Sequence, residues 1–366
     1  MSLSVVLAGG GTTGHVGPLL SLADCLRRRD PATAITVLGT AEGLEADLVP
    51  RAGYPLTVIP RVPMPRRPSL ALAQLPGRLR TAVLAAERAM TASGADVVVG
   101  FGGYVATPAY LAARRLGLPV VIHEQNARPG LANRLGARLT DHVTCALPGT
   151  PLSGVQVVGM PMRLALTTLD RPRLRAEALA AFGLRPDRPT LLVTGGSLGA
   201  QRLNDTLGGC AGDVVATGAQ VLHASGRGKQ VPVAGLAEGD AGRYVVREYL
   251  DRMDLAYAAA DLVVCRSGAG TVSELSMLGL PAVYVPLPIG NGEQRLNAEP
   301  VVRAGGGLLV EDAAFTPSWV RSHVLPLLAA PEQLATMGRA AAALGIKDGD
   351  ERLADVVARA AAGRKR

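Results

Sequence analysis

Three segments in the first half of the sequence combine glycines with polar side chains that could do chemistry. The first, GGGTTGH at residues 9–15, follows an apolar run and leads into a helical pattern. Glycines let the backbone approach a ligand closely, and helix N-terminal N–H groups favour anions. His15 at such a turn could act as a general base, with a capping or packing role as the alternative. The segment does not pair a GxGxxG fingerprint with an acidic residue about 20 positions on, so a dinucleotide site is only weakly indicated.

The other two segments are GFGGYV at residues 100–105 and HEQN at residues 123–126, each directly after an apolar run. Either could, taken alone, be a loop that caps a helix. Four consecutive polar residues after an apolar strand nevertheless predict a lined cleft rather than a core. Because the carboxyl ends of parallel strands share one edge of a sheet, three such turns favour a pocket there.

Three segments in the second half suit a phosphorylated ligand. Residues 194–200 (TGGSLGA) offer glycine amides and the Ser197 hydroxyl to a phosphate, without the Lys-Ser/Thr of a P-loop. Residues 265–274 (CRSGAGTVSE) end a strand and begin a helix. Glu274 in that helix could accept hydrogen bonds from two ribose hydroxyls, or it could simply balance the helix dipole. Residues 286–297 have a polar end, including Glu293 and Gln294, that could contact sugar hydroxyls.

These segments need strands and helices to position them, and short β-rich runs alternate with longer helical stretches throughout. This alternation of strand-like and helical segments predicts parallel α/β architecture. Strands are predicted at residues 4–8, 34–38, 56–59, 97–101, 120–123, 142–146, 190–194, 220–223, 244–247, 262–265 and 282–285. Helices are predicted at residues 14–29, 70–92 and 105–116, with another from about residue 198.

Each half of the chain opens with a strand and a glycine-rich turn, which predicts two doubly wound domains. We place the first at residues 1–162 and the second at residues 163–346. The helix at residues 347–366 is too short for a domain and is expected to pack back onto the first one.

Composition limits the classes of function. The 366 residues suit two domains, and the net charge of +8 favours an acidic partner. Nucleic acid is not predicted, because aromatics are only 3% of the chain and the positive charge is dispersed. No apolar run reaches the roughly 18 residues that span a bilayer, and the first seven residues lack the basic region of a signal peptide. We therefore expect a cytoplasmic protein whose membrane contact is peripheral.

Neither the cysteines nor the acidic residues suggest a metal site. Four cysteines, at positions 25, 145, 210 and 265, have no CxxC spacing and are predicted to be small buried hydrophobes in a reducing compartment. The one Asp-x-Asp, Asp348 to Asp350, follows no predicted strand and is interpreted as solvated surface. No cofactor and no protein-bound metal are predicted.

Residues 61–80 mix arginines with leucines and prolines. Basic amphipathic stretches suit anionic headgroups, and each arginine near such a surface contributes about 1 kcal/mol. An ordinary helix that packs its leucines into the core is the alternative. We hypothesise that Arg66, Arg67, Arg78 and Arg80 contact an anionic membrane surface.

In order, the segments from the first strand to about Asn297 resemble those of the MurG family. The matching segments are GGGTTGH, GFGGYV, HEQN with a following Asn133, VGMPMR, GGSLGAQRLN, EYLDRM, CRSGAGTVSE and GEQRLNA. The resemblance implies a GT-B fold, in which two Rossmann-like doubly wound domains face a central cleft. It places the acceptor on the first domain and UDP-GlcNAc mainly on the second.

The reaction that the resemblance implies is inverting transfer of GlcNAc from UDP-GlcNAc to the 4-hydroxyl of MurNAc-pentapeptide on undecaprenyl pyrophosphate. This step converts lipid I to lipid II in peptidoglycan synthesis, which serves cell shape and cell division. The implied location is the cytoplasmic face of the cell membrane, and other cell-wall synthesis proteins are the partners it suggests.

Individual roles follow from motif position in the resemblance. His15 is the leading candidate for the general base, and Glu124 is the second candidate for the same role. Tyr104 and Asn133 are implied on the acceptor side, together with His15, Glu124 and Asn126. Donor contacts are implied for Thr12, Thr13, Gly14, Asn126, Arg163, Ser197, Leu250 (uracil, through its backbone), Arg266, Glu274 (ribose), Glu293 and Gln294.

The sequence departs from the family pattern at two positions. Thr13 stands where typical members have glycine, and Glu293-Gln294 stands where they have a glutamine pair. Thr13 slightly narrows the first glycine loop. Glu293 puts a charge near the donor sugar and leaves the hydroxyl contacts there open.

Other functions share parts of this pattern. A UDP-GlcNAc 2-epimerase would use a similar UDP-sugar pocket without a lipid acceptor, and HEQN, GGYV and the basic stretch speak against it. A glycosyltransferase with a soluble acceptor is a second alternative. A non-enzymatic UDP-sugar-binding protein is a third, and His15 with a complete donor site argues against it.

Overall fold

Apolar runs of two to six residues, rich in valine and leucine, form the strands of two parallel sheets. The computed structural model describes residues 2–62, 74–196 and 198–363. The chain divides into two units, residues 1–163 with 348–366, and residues 164–347. Ser197, Arg66 and Arg67 lie outside the described residues.

The first unit contains a seven-stranded sheet. Its strands are β1 (Ser4–Gly9), β2 (Ala34–Gly39), β3 (Leu56–Val58), β4 (Val97–Gly102), β5 (Val120–Glu124), β6 (His142–Cys145) and β7 (Gln156–Val157). They lie in the order β3-β2-β1-β4-β5-β6-β7, and every neighbouring pair is parallel. Strands β1 and β4 are buried along their whole length, as expected where helices cover both faces of a parallel sheet.

Helices cover both faces of this sheet. They are α1 (Thr13–Arg29), α2 (Glu45–Arg51), α3 (Leu75–Ala92), α4 (Ala106–Arg115) and α5 (Leu131–Gly136). Val5 and Leu7 of β1 pack in one core cluster with α1, whereas Val6 and Ala8 pack in another with α3 and α4. This alternation follows from the two-residue period of a strand.

The second unit repeats the architecture with six strands. They are β8 (Thr190–Thr194), β9 (Gln220–Ala224), β10 (Tyr244–Arg247), β11 (Leu262–Cys265), β12 (Ala282–Tyr284) and β13 (Gly307–Leu309), in the order β10-β9-β8-β11-β12-β13. The helices are α6 (Leu164–Thr167), α7 (Arg171–Phe182), α8 (Gln201–Gly209), α9 (Ala211–Ala216), α10 (Met253–Ala259), α11 (Ala269–Leu278), α12 (Glu293–Arg303), α13 (Pro317–Leu328) and α14 (Pro331–Ala342).

The last helix, α15 (Gly349–Ala362), belongs to the first unit, where its Leu353 and Val357 are fully buried against α1. Asp350 in its first turn is 3% exposed and pairs with Arg28 at 2.7 Å. The interpretation of this acidic pair as solvated surface is therefore wrong for Asp350. Its carboxylate is buried because an arginine at the C-terminal end of α1 neutralises it.

The predicted fold class is confirmed, because each sheet is parallel and doubly wound. The sequence pattern missed β13, which begins at the third of three consecutive glycines. The helix predicted from about Leu198 begins at Gln201 instead, because Gly196 and Gly199 have φ of +80° and +65° and extend the turn. The four cysteines are buried and free, as predicted. Among the described helices, none has the length and apolarity needed to cross a membrane.

Both sheets reverse their strand order beside the first strand of the unit. In the first unit this switch point lies between β1 and β4, and in the second between β8 and β11. Open α/β sheets bind ligands outside the carboxyl ends of their strands at such points. The glycine turns of the sequence leave the sheets at these two places.

Candidate active site

Two glycine turns meet at the switch point of the first unit. Gly9 ends β1, and Gly102 ends β4 beside it. Gly102 and Gly103 have φ of +95° and +82°, which disfavours any side chain. A β-carbon on Gly103 would lie 2.5 Å from the Gly10 carbonyl oxygen. The two turns can pack this closely only because the residues that meet, Gly10 and Gly103, have no side chains.

His15 lies in the first turn of α1 and is partly buried against these turns. Its Nδ1 is 3.1 Å from the Gly10 carbonyl oxygen and 3.1 Å from the Thr12 hydroxyl. Because a carbonyl can only accept, the Nδ1 that faces it carries the proton, and Nε2 of the neutral ring keeps its lone pair. Burial lowers the pKa of His15, although Glu124, the Gly10 carbonyl and Glu45 partly oppose that shift. The ring is therefore neutral and basic at Nε2 near neutral pH.

The Nε2 atom of His15 faces the second glycine turn. A β-carbon on Gly102 would lie 3.2 Å from this nitrogen and 3.4 Å from Nδ2 of Asn133. The missing side chain at position 102 therefore leaves space beside the basic nitrogen. His15 and Asn133, far apart in the sequence, are thus brought to one place in the first unit.

Glu124 accepts several internal hydrogen bonds. Its carboxylate accepts from the backbone N–H of Asn126 at 2.9 Å, from that of Gly130 at 3.0 Å and from Nδ2 of Asn133 at 2.9 Å. Asn133 in turn accepts from the buried hydroxyl of Tyr110 at 2.7 Å. Glu124 is only 2% exposed. This geometry fits a carboxylate that shapes the loop after β5 better than one that removes a proton from a substrate.

The expectation that the HEQN segment lines a cleft is wrong for its first three residues. His123, Glu124 and Gln125 are each at most 2% exposed, while Asn126 is half-buried. His123 Nδ1 lies 3.1 Å from the Thr144 hydroxyl of the neighbouring strand, and burial lowers the pKa of His123 to about 3. Polar residues can enter a core where each finds a hydrogen-bond partner, and the sequence pattern does not reveal those partners.

The remaining residues assigned to the first unit lie at its surface. Tyr104 is 43% exposed, and the Arg61 guanidinium lies 4.8 Å from its ring centroid. Thr12 and Gly14 are exposed in the glycine turn, and Arg163 is exposed at the end of the unit. Thr13 is the first residue of α1.

In the second unit, the turn after β8 packs against the turn after β9. Gly199 lies so close to Ser225 and Gly226 that a β-carbon would overlap the Ser225 carbonyl. Lys229 donates to the Gly199 carbonyl at 3.1 Å. This turn holds its glycine amides beside the N-terminus of α8, an arrangement suited to an anion.

Glu274 projects from α11, on the other side of the same switch point. The hydroxyl of Tyr257 in α10 donates to its carboxylate at 2.6 Å. Tyr257 is 2% exposed, and burial together with this carboxylate raises its pKa well above the usual value. Tyr257 could not be found from the sequence, because an apolar helix signals only that the ring is buried and not where its hydroxyl points.

Other predicted donor residues are held by backbone contacts. The Arg266 guanidinium pairs with Asp312 at 2.6 Å and donates to the carbonyls of Val285 and Pro286 at 3.1 Å. Gln294 accepts from the N–H of Leu287 at 3.0 Å. These two side chains therefore fix the loop that follows β12.

Two further residues predicted to bind the donor follow strands of the second sheet at their carboxyl ends. Glu293, at the start of α12, accepts from the Asn291 N–H at 3.1 Å. Leu250, just after β10, is 6% exposed, so its side chain is buried.

One group of metal-ligand side chains occurs among the described residues, formed by Cys25, Asp350 and Glu351. Both carboxylates pair with Arg28, and Glu351 also pairs with Arg29 at 2.6 Å. The two guanidinium groups neutralise the carboxylates, and this set therefore does not fit a cation. It also lies on α1 and α15, away from the glycine turns.

Two doubly wound parallel sheets, each with a glycine turn at its switch point, are the architecture of the GT-B class of glycosyltransferases. Residues 5–145 match the Glycosyltransferase family 28 N-terminal domain, and residues 190–353 match the Glycosyltransferase family 28 C-terminal domain. The two matches fall on the first and second sheets respectively.

Individual relatives narrow the class. The chain is 56% identical to the UDP-N-acetylglucosamine--N-acetylmuramyl-(pentapeptide) pyrophosphoryl-undecaprenol N-acetylglucosamine transferase of Streptomyces avermitilis, over 100% of both chains. The crystal structure of Acinetobacter baumannii MurG is similar with a TM-score of 0.81 and 30% identity, over 98% of this chain and 99% of that one. The chain belongs to the MurG family.

A UDP-GlcNAc 2-epimerase from Neisseria meningitidis has a TM-score of 0.66 at 15% identity, over 98% of this chain and 100% of that one. At that identity the likeness shows a shared fold alone. This structural similarity therefore does not support the epimerase alternative.

Proposed function

We propose that this chain transfers GlcNAc from UDP-GlcNAc to the 4-hydroxyl of the MurNAc-pentapeptide of lipid I, forming lipid II in peptidoglycan synthesis. The observation that carries the proposal is the 56% identity, over full length, to a relative with that name. The basic Nε2 of His15 beside the Gly102 turn supports it, because glycosyl transfer to a hydroxyl needs a base at the acceptor.

The chemistry assigned to His15 follows from its tautomer. The Nε2 lone pair takes the proton of the acceptor hydroxyl as the oxygen attacks the anomeric carbon. The bond from that carbon to the diphosphate oxygen breaks, and UDP leaves with the bonding electrons. General-base help of this kind is typically worth about 10²–10⁴-fold in rate. Glu124 is assigned to positioning, because its carboxylate is buried and already accepts three strong hydrogen bonds.

The donor site proposed in the second unit uses backbone and carboxylate groups. The amides of the turn after β8 stabilise the leaving diphosphate, and the Glu274 carboxylate accepts from the ribose hydroxyls. Arg266 supports this site through the loop after β12, since its guanidinium is already paired with Asp312. The roles of Thr12, Thr13, Gly14, Asn126, Arg163, Ser197, Leu250, Glu293 and Gln294 in donor binding, and of Tyr104 in acceptor binding, stay predictions. So does the absence of a metal requirement, which activity in EDTA would test.

The experiment that tests the function uses labelled UDP-GlcNAc under three acceptor conditions. They are a short-chain lipid I analogue, a MurNAc-pentapeptide without lipid, and no acceptor. We expect label transfer to the lipid-linked acceptor, and at least about a 100-fold loss in His15→Gln. Label on a soluble glycoside alone would contradict the acceptor assignment. Full activity of His15→Gln would remove the base role while leaving the transferase assignment intact.

We also propose that the enzyme works at the cytoplasmic face of the cell membrane as a peripheral protein. Its proposed acceptor has a lipid tail, and the side chains of Arg78 and Arg80 are exposed at the start of α3. Leu79 between them packs partly against the core, as expected for an ordinary core-packing helix, and membrane contact of the two arginines stays a proposal. Binding to other cell-wall synthesis proteins stays a prediction.

Charge reversal tests the membrane proposal. Replacing Arg78 and Arg80 by glutamate removes about 1 kcal/mol per arginine, so partitioning onto phosphatidylglycerol vesicles should weaken at least about 30-fold. Arg173→Glu combined with Arg303→Glu, at two exposed positions of the second unit, changes the net charge by the same amount and should have a smaller effect. Equal partitioning of the double variant and the wild type would overturn the proposal.

A further inference from the structure

A buried carboxylate lies beneath the glycine turn that carries His15. Glu45, the first residue of α2, is 0% exposed. Its Oε2 accepts from the N–H of Gly11 at 2.8 Å. Its Oε1 accepts from both the N–H and the hydroxyl of Thr40, at 2.9 and 2.8 Å. Every strong hydrogen bond of this side chain therefore fixes the turn after β1 or the end of β2.

Three glycines make room for this carboxylate. A β-carbon on Gly10 or Gly43 would overlap the carboxylate, and one on Gly39 would lie 2.6 Å from its Cγ. Gly10 lies after β1, Gly39 ends β2 and Gly43 lies in the loop after β2. A side chain at any of these three positions would enter the space that the Glu45 side chain fills.

The Gly10–Gly11 peptide group joins this carboxylate to the imidazole. Its N–H, on Gly11, donates to Glu45, while its C=O, on Gly10, accepts from Nδ1 of His15. We propose that Glu45 is a positioning residue, which acts through this single peptide group to hold His15 in the Nδ1–H tautomer with Nε2 as the base. The proposal rests on the base role of His15 proposed above. A carboxylate that binds the N–H end polarises the peptide and strengthens the carbonyl as an acceptor.

The charges around the ring agree with this arrangement. Burial alone would raise the pKa of Glu45, but the hydrogen bonds from Gly11 and Thr40 lower it below the usual value, so the carboxyl is ionised near neutral pH. The charged groups that face His15 are Glu124, from β5, and Glu45, from α2. Both negative charges raise the pKa of His15 against the effect of burial. Removing the charge of Glu45 should therefore lower the pKa of His15.

The first test needs no substitution at Glu45. Nitrogen NMR of the full-length protein with labelled histidine distinguishes protonated from non-protonated ring nitrogens. The chain has five histidines, and His15→Gln identifies the relevant signals. We expect the neutral ring of His15 to be protonated at Nδ1 and free at Nε2. A neutral ring protonated at Nε2 would overturn the proposal, whatever the activity.

The second test compares Glu45→Gln with Asp47→Asn. Asp47 lies on the same helix, its side chain is 68% exposed, and it pairs with Arg51 at the surface. A glutamine amide in place of the Glu45 carboxylate cannot accept from both Gly11 and Thr40, so we expect kcat at the pH plateau to fall about tenfold or more. The acidic limb of the pH profile should also move to lower pH, because the pKa of His15 falls. Asp47→Asn should leave both unchanged.

A purely structural role for Glu45 gives a different result. A loss of folded enzyme lowers activity by the same factor at every pH and leaves the acidic limb in place, and that outcome would overturn the proposal. Glu45→Asp keeps the charge, so its acidic limb should lie closer to the wild type than that of Glu45→Gln. If His15→Gln keeps full activity, the base role fails, but the NMR tautomer and the His15 pKa in Glu45→Gln still decide the link between the two residues.

Discussion

The hydrogen bond between Tyr257 and Glu274 offers a quantitative test of the donor site. Tyr257→Phe removes one hydroxyl that donates to a carboxylate at 2.6 Å and leaves the buried ring in place. A hydrogen bond to a charged group is worth about 1.5–3 kcal/mol, so the free energy of unfolding should fall by about that amount. The carboxylate also becomes freer to rotate, and fixing it again on binding costs about 0.5–1.5 kcal/mol. The KM for UDP-GlcNAc should therefore rise about 2- to 12-fold, with little change in kcat.

Tyr284→Phe is the matched control. Tyr284 is also fully buried in the second unit, and within the described residues its hydroxyl has no hydrogen-bond partner. Its removal should leave the stability and the KM almost unchanged. The assay is steady-state transfer with varied UDP-GlcNAc, combined with urea unfolding. An unchanged KM in Tyr257→Phe, or equal effects in both variants, would refute the assignment of Tyr257 as the residue that orients Glu274.

Two further predictions concern the glycine turn and the buried histidines. Gly103→Ala should reduce activity by at least about tenfold, because its β-carbon would push on the carbonyl that accepts from the catalytic imidazole. Gly53→Ala has the same φ of about +81° but open space around it, and it should lose only stability; equal activity loss in both would contradict this. His123 and His223 are buried, and burial lowers the pKa of each to about 3, whereas the unfolded chain protonates them near 6.5. Stability should therefore fall as pH drops below about 6.5, by about 2 kcal/mol per histidine at pH 5, and urea unfolding that is unchanged between these pH values would contradict this.

The strands and the switch points could be predicted from the sequence because the signals are local. Buried parallel strands are short apolar runs, and a glycine turn after such a run marks the edge where ligands bind. The runs that form β8, β10 and β11 have the predicted bounds. β13 was missed because it begins with Gly307 directly after two further glycines, and glycine is depleted in strands.

The partners of polar side chains could not be predicted, because they depend on distant parts of the chain. Glu45 looks like an ordinary acidic residue at the start of a helix, and only the folded turns reveal that it is buried beneath Gly11. The motif position of Glu124 suggested a reserve base, whereas the structure surrounds it with hydrogen-bond donors. Asp350 likewise became a buried ion pair because α15 docks on α1. Tertiary contacts, which the local sequence pattern does not show, decide the roles of such residues.

The central claim is that this chain forms a new glycosidic bond on a lipid-linked sugar. The most direct measurement is the structure of the product formed from UDP-GlcNAc carrying ¹³C at its anomeric carbon and a lipid I analogue. We expect a GlcNAc–MurNAc disaccharide on the lipid, joined β-1,4, which NMR of the labelled carbon and its long-range correlation to the acceptor proton identify. An α-linked product, release of free sugar, or conversion of the donor to its 2-epimer without transfer would contradict it.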